Sequence, residues 1–101
     1  WRDALELDKL GVFSLVLECI PEWLGRKISD DVKTPTIGIG AGKFCDGQVL
    51  VINDMLGFTD GPTPKFVKTY ANLRSAILEA VQHFAEDVKS GTFPDKTHTY
   101  H

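Results

Sequence analysis

An apolar run that ends in a carboxylate constrains the fold of this chain most strongly. Residues 12–18 read VFSLVLE, and such a cluster of aliphatic, β-branched and aromatic residues is typical of a strand buried on both faces. Pro21 then suits the first turn of a helix, and Glu22 suits its positive end. A second such run, PTIGI, follows at residues 35–39. This order predicts a βαβ unit whose polar chemistry lies at the carboxyl ends of parallel strands.

The predicted helix between these strands carries an apolar stripe. Its members recur every four residues, a spacing that places them on one helix face, which we expect to pack against the sheet. They are Ile20, Leu24, Ile28 and Val32. Gly25 lowers helix stability by roughly 1 kcal/mol relative to alanine. We therefore expect another segment to pack closely against this glycine.

Two further segments predict helices at the ends of the sequence. Residues 3–10 form one, with Gly11 as its left-handed cap, and residues 73–88 form the clearest one, with Asn72 as its cap and Gly91 after it. The sequence opens inside a helix, and the sheet would be small with open edges. Both features predict a piece of a larger domain.

The segment between Gly42 and the last helix is harder to interpret. Residues 48–57 carry a β-branched run that favours a strand and a spacing that favours a helix. We expect a helix, because a strand that begins so soon after Gly42 could not lie parallel beside the preceding one. Residues 58–64 predict a loop, and residues 65–69 predict a short strand.

Charge and cysteine usage exclude several classes of protein. The 11 basic and 14 acidic residues give a net charge of −3, which indicates no basic surface for nucleic acid or an acidic membrane. No apolar run approaches the roughly 20 residues of a membrane helix. Cys19 and Cys45 have no CxxC spacing and no companion histidines, which indicates reduced thiols of a cytoplasmic protein and no zinc site. The spacing leaves a disulfide between them open.

The polar residues near the predicted strand ends each allow two interpretations. Glu18 is either a catalytic base or a carboxylate in a helix start or ion pair. The glycines of Gly40-Ala41-Gly42 form either a turn or an anion-binding loop. Metal ligation is an option for three oxygen-bearing residues, although capping and turn roles explain them as well. These are Asp46, Asn53 and Asp54. Cys19 is expected to be a buried thiol rather than a nucleophile, and His83 a surface or packing residue.

Several segments together resemble one enzyme family. They are LVLECIP at residues 15–21, PTIGIGAG at 35–42, DGQVLV at 46–51, DMLG at 54–57 and PKFVK at 64–68. In this order and spacing they are similar to ketopantoate hydroxymethyltransferases.

The resemblance implies a fold and an assembly. It implies an α/β chain from a (β/α)8 TIM barrel of the phosphoenolpyruvate-binding superfamily, with residues 1–101 as the carboxyl-terminal part of a single barrel domain, about strands 6 to 8. The amino-terminal part of the same barrel would be a partner. A homo-oligomer, often a decamer in the family, is also implied, in the cytoplasm or, in a eukaryote, the mitochondrion.

The resemblance also implies a reaction. A one-carbon unit passes from 5,10-methylenetetrahydrofolate to 3-methyl-2-oxobutanoate and gives 2-dehydropantoate for coenzyme A synthesis. Mg2+ would hold the oxo acid through ligands in the amino-terminal part, with none in this chain. Glu18 matches the general base, which we expect to be partly buried, and Gly40, Ala41 and Gly42 would border the substrate pocket. His98 and His101 resemble the family's tail and carry no assigned chemistry.

Two other functions remain open. The chain could be a noncatalytic oligomerisation or interaction module, because open sheet edges and a long amphipathic helix favour association. Alternatively, a different barrel enzyme could use the loop at residues 40–42 to bind a phosphate.

Overall fold

A computed structural model describes residues 1–101 as a small parallel sheet with helices. The elements are α1 (Arg2–Leu10), β1 (Leu15–Glu18), α2 (Glu22–Asp31), β2 (Thr36–Ile39), β3 (Gly47–Gln48), α3 (Ile52–Met55) and α4 (Leu73–Ser90), followed by a 3-10 turn at Lys96–His98. The strand order is β1-β2-β3. None of the helices combines the length and the apolar character needed to cross a membrane.

The predicted βαβ unit is present. Strands β1 and β2 pair in parallel, with Leu15 opposite Thr36 and Glu18 opposite Ile39. The prediction of a strand buried on both faces is wrong, however, because β1 is shorter than expected and its residues alternate between buried and exposed. Val16 is 62% exposed. Helices therefore cover only one face of the sheet.

The core lies between that covered face and helices α1 and α2. It consists of five residues, Ala4, Leu15, Leu17, Ile28 and Ala41. Ile20, Leu24 and Val32 pack against this cluster, which confirms the predicted apolar stripe.

Gly25 allows α2 to approach the loop after β2. A Cβ atom at this position would collide with the carbonyl oxygen of Ala41, whose side chain is fully buried. The prediction of a close neighbour at Gly25 is thus confirmed. Helix α2 and the loop at residues 40–42 pack backbone against backbone.

Asp8 joins α1 to the start of β2. One carboxylate oxygen accepts hydrogen bonds from Thr34 Oγ1 at 2.6 Å, from the Thr34 backbone N–H at 2.8 Å and from the Lys33 backbone N–H at 3.0 Å. The hydrogen bond from the Thr34 hydroxyl, followed by the two backbone donors, holds the pKa of Asp8 below its ordinary value. Gly11 caps α1 with φ of 78°, as predicted.

The expectation that no parallel strand could follow so soon after Gly42 is wrong. Strand β3 lies parallel to β2, with Ile37 opposite Gly47, and the helix predicted over residues 48–57 is only the single turn α3. A helical crossover needs a dozen residues or more, but β3 returns through the short loop of residues 40–46. Asp46 closes this loop, since its carboxylate accepts from the Thr36 N–H at 2.7 Å and from Thr36 Oγ1 at 3.1 Å.

The strand predicted over residues 65–69 is also absent. This segment has no neighbouring strand with which to pair, and the chain instead returns to α3. The backbone N–H groups of Tyr70 and Ala71 donate to the Met55 carbonyl at 2.8 and 3.2 Å. Residues 58–64 form no helix or strand, as predicted.

Helix α4 occupies the predicted position but buries none of its residues. Its apolar face is open, with Val81 60% and Phe84 57% exposed. Asn72 is the N-cap residue, as expected, although its side chain makes no capping hydrogen bond, and Gly91 ends the helix with φ of 75°. The molecule is elongated, with a longest dimension of 65 Å.

Candidate functional site

Glu18 lies at the carboxyl end of β1, beside the loop that follows β2. The chain turns at Cys19, which has φ of 52° and whose N–H donates to the Ile39 carbonyl at 2.9 Å. The next residue, Ile20, donates its N–H to the Gly40 carbonyl at 3.1 Å. Glu18 and Gly40 therefore share one edge of the sheet, the edge where α/β enzymes place their chemistry.

The side chain of Glu18 points to the face of the sheet that no helix covers. Leu15 and Leu17 face the core, and side chains alternate along a strand, so Val16 and Glu18 face the opposite side. Ile39 is opposite Glu18 in the register and shares this face. Glu18 is exposed, and the expectation of partial burial is therefore wrong for this chain, because nothing in it covers that face.

The loop at residues 40–42 is held against two elements. Gly40 and Gly42 adopt left-handed conformations, with φ of 65° and 79°, which side chains rarely adopt. Ala41 between them is fully buried under α2. The ring of Phe66 packs directly on Gly40, since a Cβ atom there would lie 2.9 Å from the ring.

This packing creates a groove, the Phe66 groove, next to the loop. It consists of two pockets, and Gly40, Gln48 and Phe66 line both. The larger pocket has a volume of about 430 Å³ and is mainly apolar, and Ile39 and Tyr70 are among its lining residues. The groove lies at the same edge of the sheet as the carboxylate, but Gln48 is the register partner of Gly38, which pairs with Leu17. Gln48 therefore lies on the face opposite to Glu18.

Each of the two pockets of the Phe66 groove has one lysine in its lining. Lys68 lines the larger pocket, with its Nζ 4.9 Å from the centre of the Tyr70 ring, and Lys43 lines the smaller pocket. No aspartate or glutamate lines either part, and neither lysine forms an ion pair. The groove is consequently a positive surface in a chain whose net charge is −3.

The oxygen-bearing residues considered as metal ligands lie in two places, Asp46 before β3 and Asn53 and Asp54 in α3. Asp46 is bonded to Thr36, and the Asp54 carboxylate accepts from Thr59 Oγ1 at 3.0 Å. Asn53 precedes it in α3. Nowhere do three or more histidine, cysteine, aspartate or glutamate side chains meet. Hydrogen bonds from Thr36 and Thr59 thus account for both carboxylates.

The remaining candidates have ordinary surroundings. Cys19 and Cys45 are free thiols, and Cys19 is exposed, so the expected burial of this thiol is wrong. His83, which lies on α4, is exposed, and the terminal His101 is exposed as well. His98 Nδ1 lies 2.7 Å from the Asp95 carboxylate in the tail. Cys19 follows Glu18 at the same edge of the sheet, whereas the three histidines lie in α4 and in the tail.

Sequence reasoning missed the part played by Phe66 and Lys68. Both lie in the PKFVK segment at residues 64–68, which carried the resemblance but was interpreted as a strand. The proline and the neighbouring turn residues were a signal against that interpretation. The close fit of a ring on Gly40 depends on three-dimensional packing.

Known proteins resemble almost the whole chain. Residues 1–96 match the sequence model of a family described as ketopantoate hydroxymethyltransferase. The 3-methyl-2-oxobutanoate hydroxymethyltransferase of Syntrophus aciditrophicus (strain SB) is 57% identical over 99 residues, which cover 98% of this chain and 36% of the relative. The enzyme of that name from Syntrophomonas wolfei is 53% identical with the same coverage, and one from Leptospira interrogans is 52% identical over 98% of this chain and 37% of its own length.

Proposed function

This chain belongs to the ketopantoate hydroxymethyltransferase family, and we propose that it supplies the base and the substrate loop of a one-carbon transferase. The reaction moves a methylene unit from 5,10-methylenetetrahydrofolate to 3-methyl-2-oxobutanoate, which yields 2-dehydropantoate. The chain spans little more than a third of the length of the curated relatives that it matches. The activity is therefore proposed for an enzyme that contains this chain together with the remainder of the fold.

One observation supports this proposal above the others. Glu18 lies at the carboxyl edge of the parallel sheet, one strand from Gly40, on a face that is open to a ligand. A structural carboxylate in an ion pair would need a basic partner, and Glu18 has none within 4.0 Å. An unpaired carboxylate at such an edge suits a general base.

The proposed mechanism begins with proton transfer to Glu18. Its carboxylate takes the proton from C3 of the oxo acid, and the electron pair left behind is delocalised into the C2 carbonyl. This enolate then attacks the methylene carbon of the folate donor, so that a C–C bond forms as one C–N bond breaks, and the second C–N bond breaks when a water oxygen bonds to the same carbon. Exclusion of water by the rest of the barrel would strengthen these charge interactions.

The proton and oxygen balance is closed by one water molecule. Its oxygen becomes the new hydroxyl group on the transferred carbon. The proton that Glu18 removed and one proton of the water protonate the two folate nitrogens. Glu18 returns to its ionised state, and no covalent bond to the protein is needed.

Residues of this chain do not fit the Mg2+ ion that the resemblance implies. The two carboxylates considered as ligands, Asp46 and Asp54, are engaged with Thr36 and Thr59, and no cluster of three or more acidic, histidine or cysteine side chains exists. We accordingly propose that any magnesium ligands come from the amino-terminal part of the enzyme. The steps above rest only on Glu18 and the substrates.

The proposed architecture follows the same reasoning. Residues 1–101 would form the last strands of a single (β/α)8 barrel, and the open edge of β1 and the open face beside Glu18 would receive the other strands. The barrel would assemble into a homo-oligomer. Covering that face would also give Glu18 the burial that it lacks in the chain alone.

Reconstitution tests the proposal. This chain is combined with a separately produced polypeptide that spans the part of the Syntrophus aciditrophicus relative preceding the matched region, and the pair is called the reconstituted enzyme below. We expect it to form tetrahydrofolate and to exchange the C3 hydrogen of 3-methyl-2-oxobutanoate in D2O. Glu18→Gln should slow this exchange about 100-fold or more, because a positioned base contributes that much.

Two controls make the result decisive. Glu6→Gln removes an exposed carboxylate from α1, away from the proposed site, and should leave exchange unchanged. Undiminished exchange in Glu18→Gln would remove Glu18 from the role of base. A pair that assembles, as judged by sedimentation, but forms no tetrahydrofolate would refute the catalytic proposal.

A noncatalytic interaction module is the second candidate function, and one observation favours it. Every residue of α4 after Leu73 is exposed, including apolar side chains such as Leu78, Val81 and Phe84. Such exposure of apolar side chains is typical of a helix that binds a partner. Assembly without tetrahydrofolate formation in the experiment above is the outcome that this function predicts.

A further inference from the structure

We propose that Gln48 is a positioning residue for the reaction, because its side-chain amide fixes the loop at residues 40–42 through the Gly42 carbonyl. The Nε2 atom of Gln48 donates to this carbonyl oxygen at 2.9 Å. The inference rests on the proposed function, in which the loop borders the substrate pocket but no residue is yet responsible for the position of the loop.

The loop at residues 40–42 has one hydrogen bond at each end. At its start, the Gly40 carbonyl accepts the backbone N–H of Ile20 at 3.1 Å. At its end, the Gly42 carbonyl accepts only the Gln48 amide, and the Gly42 N–H donates to no acceptor in this chain. Gln48 is therefore the sole hydrogen-bond partner of Gly42.

Gly42 needs such a partner to keep one backbone conformation. Its φ of 79° suits a glycine, but a glycine also adopts more backbone conformations than any other residue. The Glu22 side chain packs closely on Gly42, although a packing contact does not fix the direction of a carbonyl. Because a peptide unit is planar, the hydrogen bond from Gln48 orients the whole unit between Gly42 and Lys43.

A glycine in β2 makes room for the amide of Gln48. Gln48 is the last residue of β3 and the register partner of Gly38. A Cβ atom on Gly38 would lie 3.2 Å from Nε2 of Gln48, closer than side chains ordinarily pack. The absence of a side chain at Gly38 thus allows the amide to lie over β2 and to reach the loop.

Gln48 acts on the substrate through the loop and not by contact. Gln48 pairs with Gly38, which pairs with Leu17, so Gln48 lies on the face of the sheet opposite to Glu18. The oxo acid has to lie beside Glu18 for removal of its C3 proton. Gln48 is also exposed in this chain, and substitutions of exposed residues change stability little. Loss of its amide should therefore disturb the loop without unfolding the protein.

The first test measures binding of the oxo acid by the reconstituted enzyme. Gln48→Met keeps the length of the side chain but removes the N–H donor. We expect KM for 3-methyl-2-oxobutanoate to rise about tenfold and kcat to change less than about threefold, because the loop would bind the ground state and the transition state alike. The urea midpoint should keep its native value.

Two further variants show whether the donor itself is responsible. Gln82→Met makes the same change at an exposed glutamine of α4 and should leave KM, kcat and the urea midpoint unchanged. Gln48→Glu preserves the shape of the side chain, but an ionised carboxylate only accepts hydrogen bonds. It should raise KM at least as much as Gln48→Met. A native KM in Gln48→Glu would overturn the inference, because shape alone would then be sufficient.

A spectroscopic measurement tests the hydrogen bond without turnover. In the chain labelled with 13C and 15N, Gln48→Met should shift the carbonyl signal of Gly42 and the amide signal of Lys43, whereas Gln82→Met should leave both in place. Unshifted signals, an unchanged KM in an active enzyme, or a urea midpoint that falls together with kcat would each refute the positioning role. A reconstituted enzyme of native sequence without activity would instead refute the proposed function, and the two signals would still report on the hydrogen bond.

Discussion

The two ends of this molecule show opposite relations between sequence and packing. Helices α1 and α2 lie against β1 and share a core that contains Leu17 and Ile28. Helix α4 has an equally clear apolar face and buries nothing. An amphipathic pattern therefore predicts that a helix has a face to cover, and it does not predict that the same chain covers it.

Alanine variants of one leucine in each region should give the largest difference in the free energy of unfolding. Leu17→Ala, which removes a side chain only 8% exposed, should lower the free energy of unfolding by about 2–5 kcal/mol. Leu78→Ala in α4, where the leucine is 50% exposed, should change it by about 0.5 kcal/mol or less. Urea unfolding of the two variants measures both. Equal losses of unfolding free energy would show that α4 is packed in solution. A larger loss for Leu78→Ala in the reconstituted enzyme than in the chain alone would show that α4 becomes covered when the enzyme assembles.

Matched threonines should give an intermediate difference. Thr36 is fully buried and bonded to Asp46 and Ser29, so Thr36→Val should cost about 1–3 kcal/mol by leaving polar partners unsatisfied. Thr92→Val, near the end of α4, removes an exposed contact with Ser90 Oγ at 2.8 Å and should cost less than about 0.5 kcal/mol. Thermal unfolding followed by circular dichroism compares them. A Thr36→Val variant as stable as the native chain would show that the hydrogen bonds of Thr36 do not hold the loop at residues 40–46 in place.

Asparagine variants of one aspartate in each region should give the smallest difference in stability, and this difference depends on pH. The pKa of Asp8 is lowered by the Thr34 hydroxyl and nearby backbone N–H groups. The pKa of Asp95 is lowered by Thr97 and then by His98. A lowered pKa in the folded state gives stability that is present above the unfolded value of about 3.9 and is lost as pH falls through the folded value.

The two aspartates differ in what their carboxylates connect. Asp8 bonds to residues 25 and 26 positions away, whereas Asp95 bonds only within its own turn. Between pH 6 and pH 3, the urea midpoint should fall less steeply in Asp8→Asn than in the native chain, and Asp95→Asn should deviate less from the native curve, because its carboxylate bonds only within the tail. Parallel curves for all three proteins would contradict a role for Asp8 in joining α1 to the sheet.

Local patterns predicted the elements whose signals lie within a few residues. The cap at Gly11, the stripe from Ile20 to Val32 and the parallel pairing of β1 with β2 all follow from spacing and turn chemistry. The edge shared by Glu18 and Gly40 follows from the same topology. The catalytic role of Glu18 stays a prediction, supported by the family and by this position.

Contacts between distant residues explain what the patterns missed. Strand β3 depends on the hydrogen bonds between Asp46 and Thr36, which no periodicity reveals. Residues 65–69 have strand-like composition but no neighbouring strand, so the Phe66 ring packs on Gly40 instead. The exposure of Glu18 reflects the uncovered face of the sheet, which the apolar run at residues 12–18 does not reveal.

The contact between Gly25 and Ala41 has a consequence for interpreting variants. Since the helix backbone supports the loop directly, even one added methyl group at position 25 would displace the peptide that we propose to border the substrate. A substitution in α2 would then weaken substrate binding although its side chain contacts no ligand. Residue 25 should for this reason be counted among the determinants of catalytic geometry, although its own chemistry is inert.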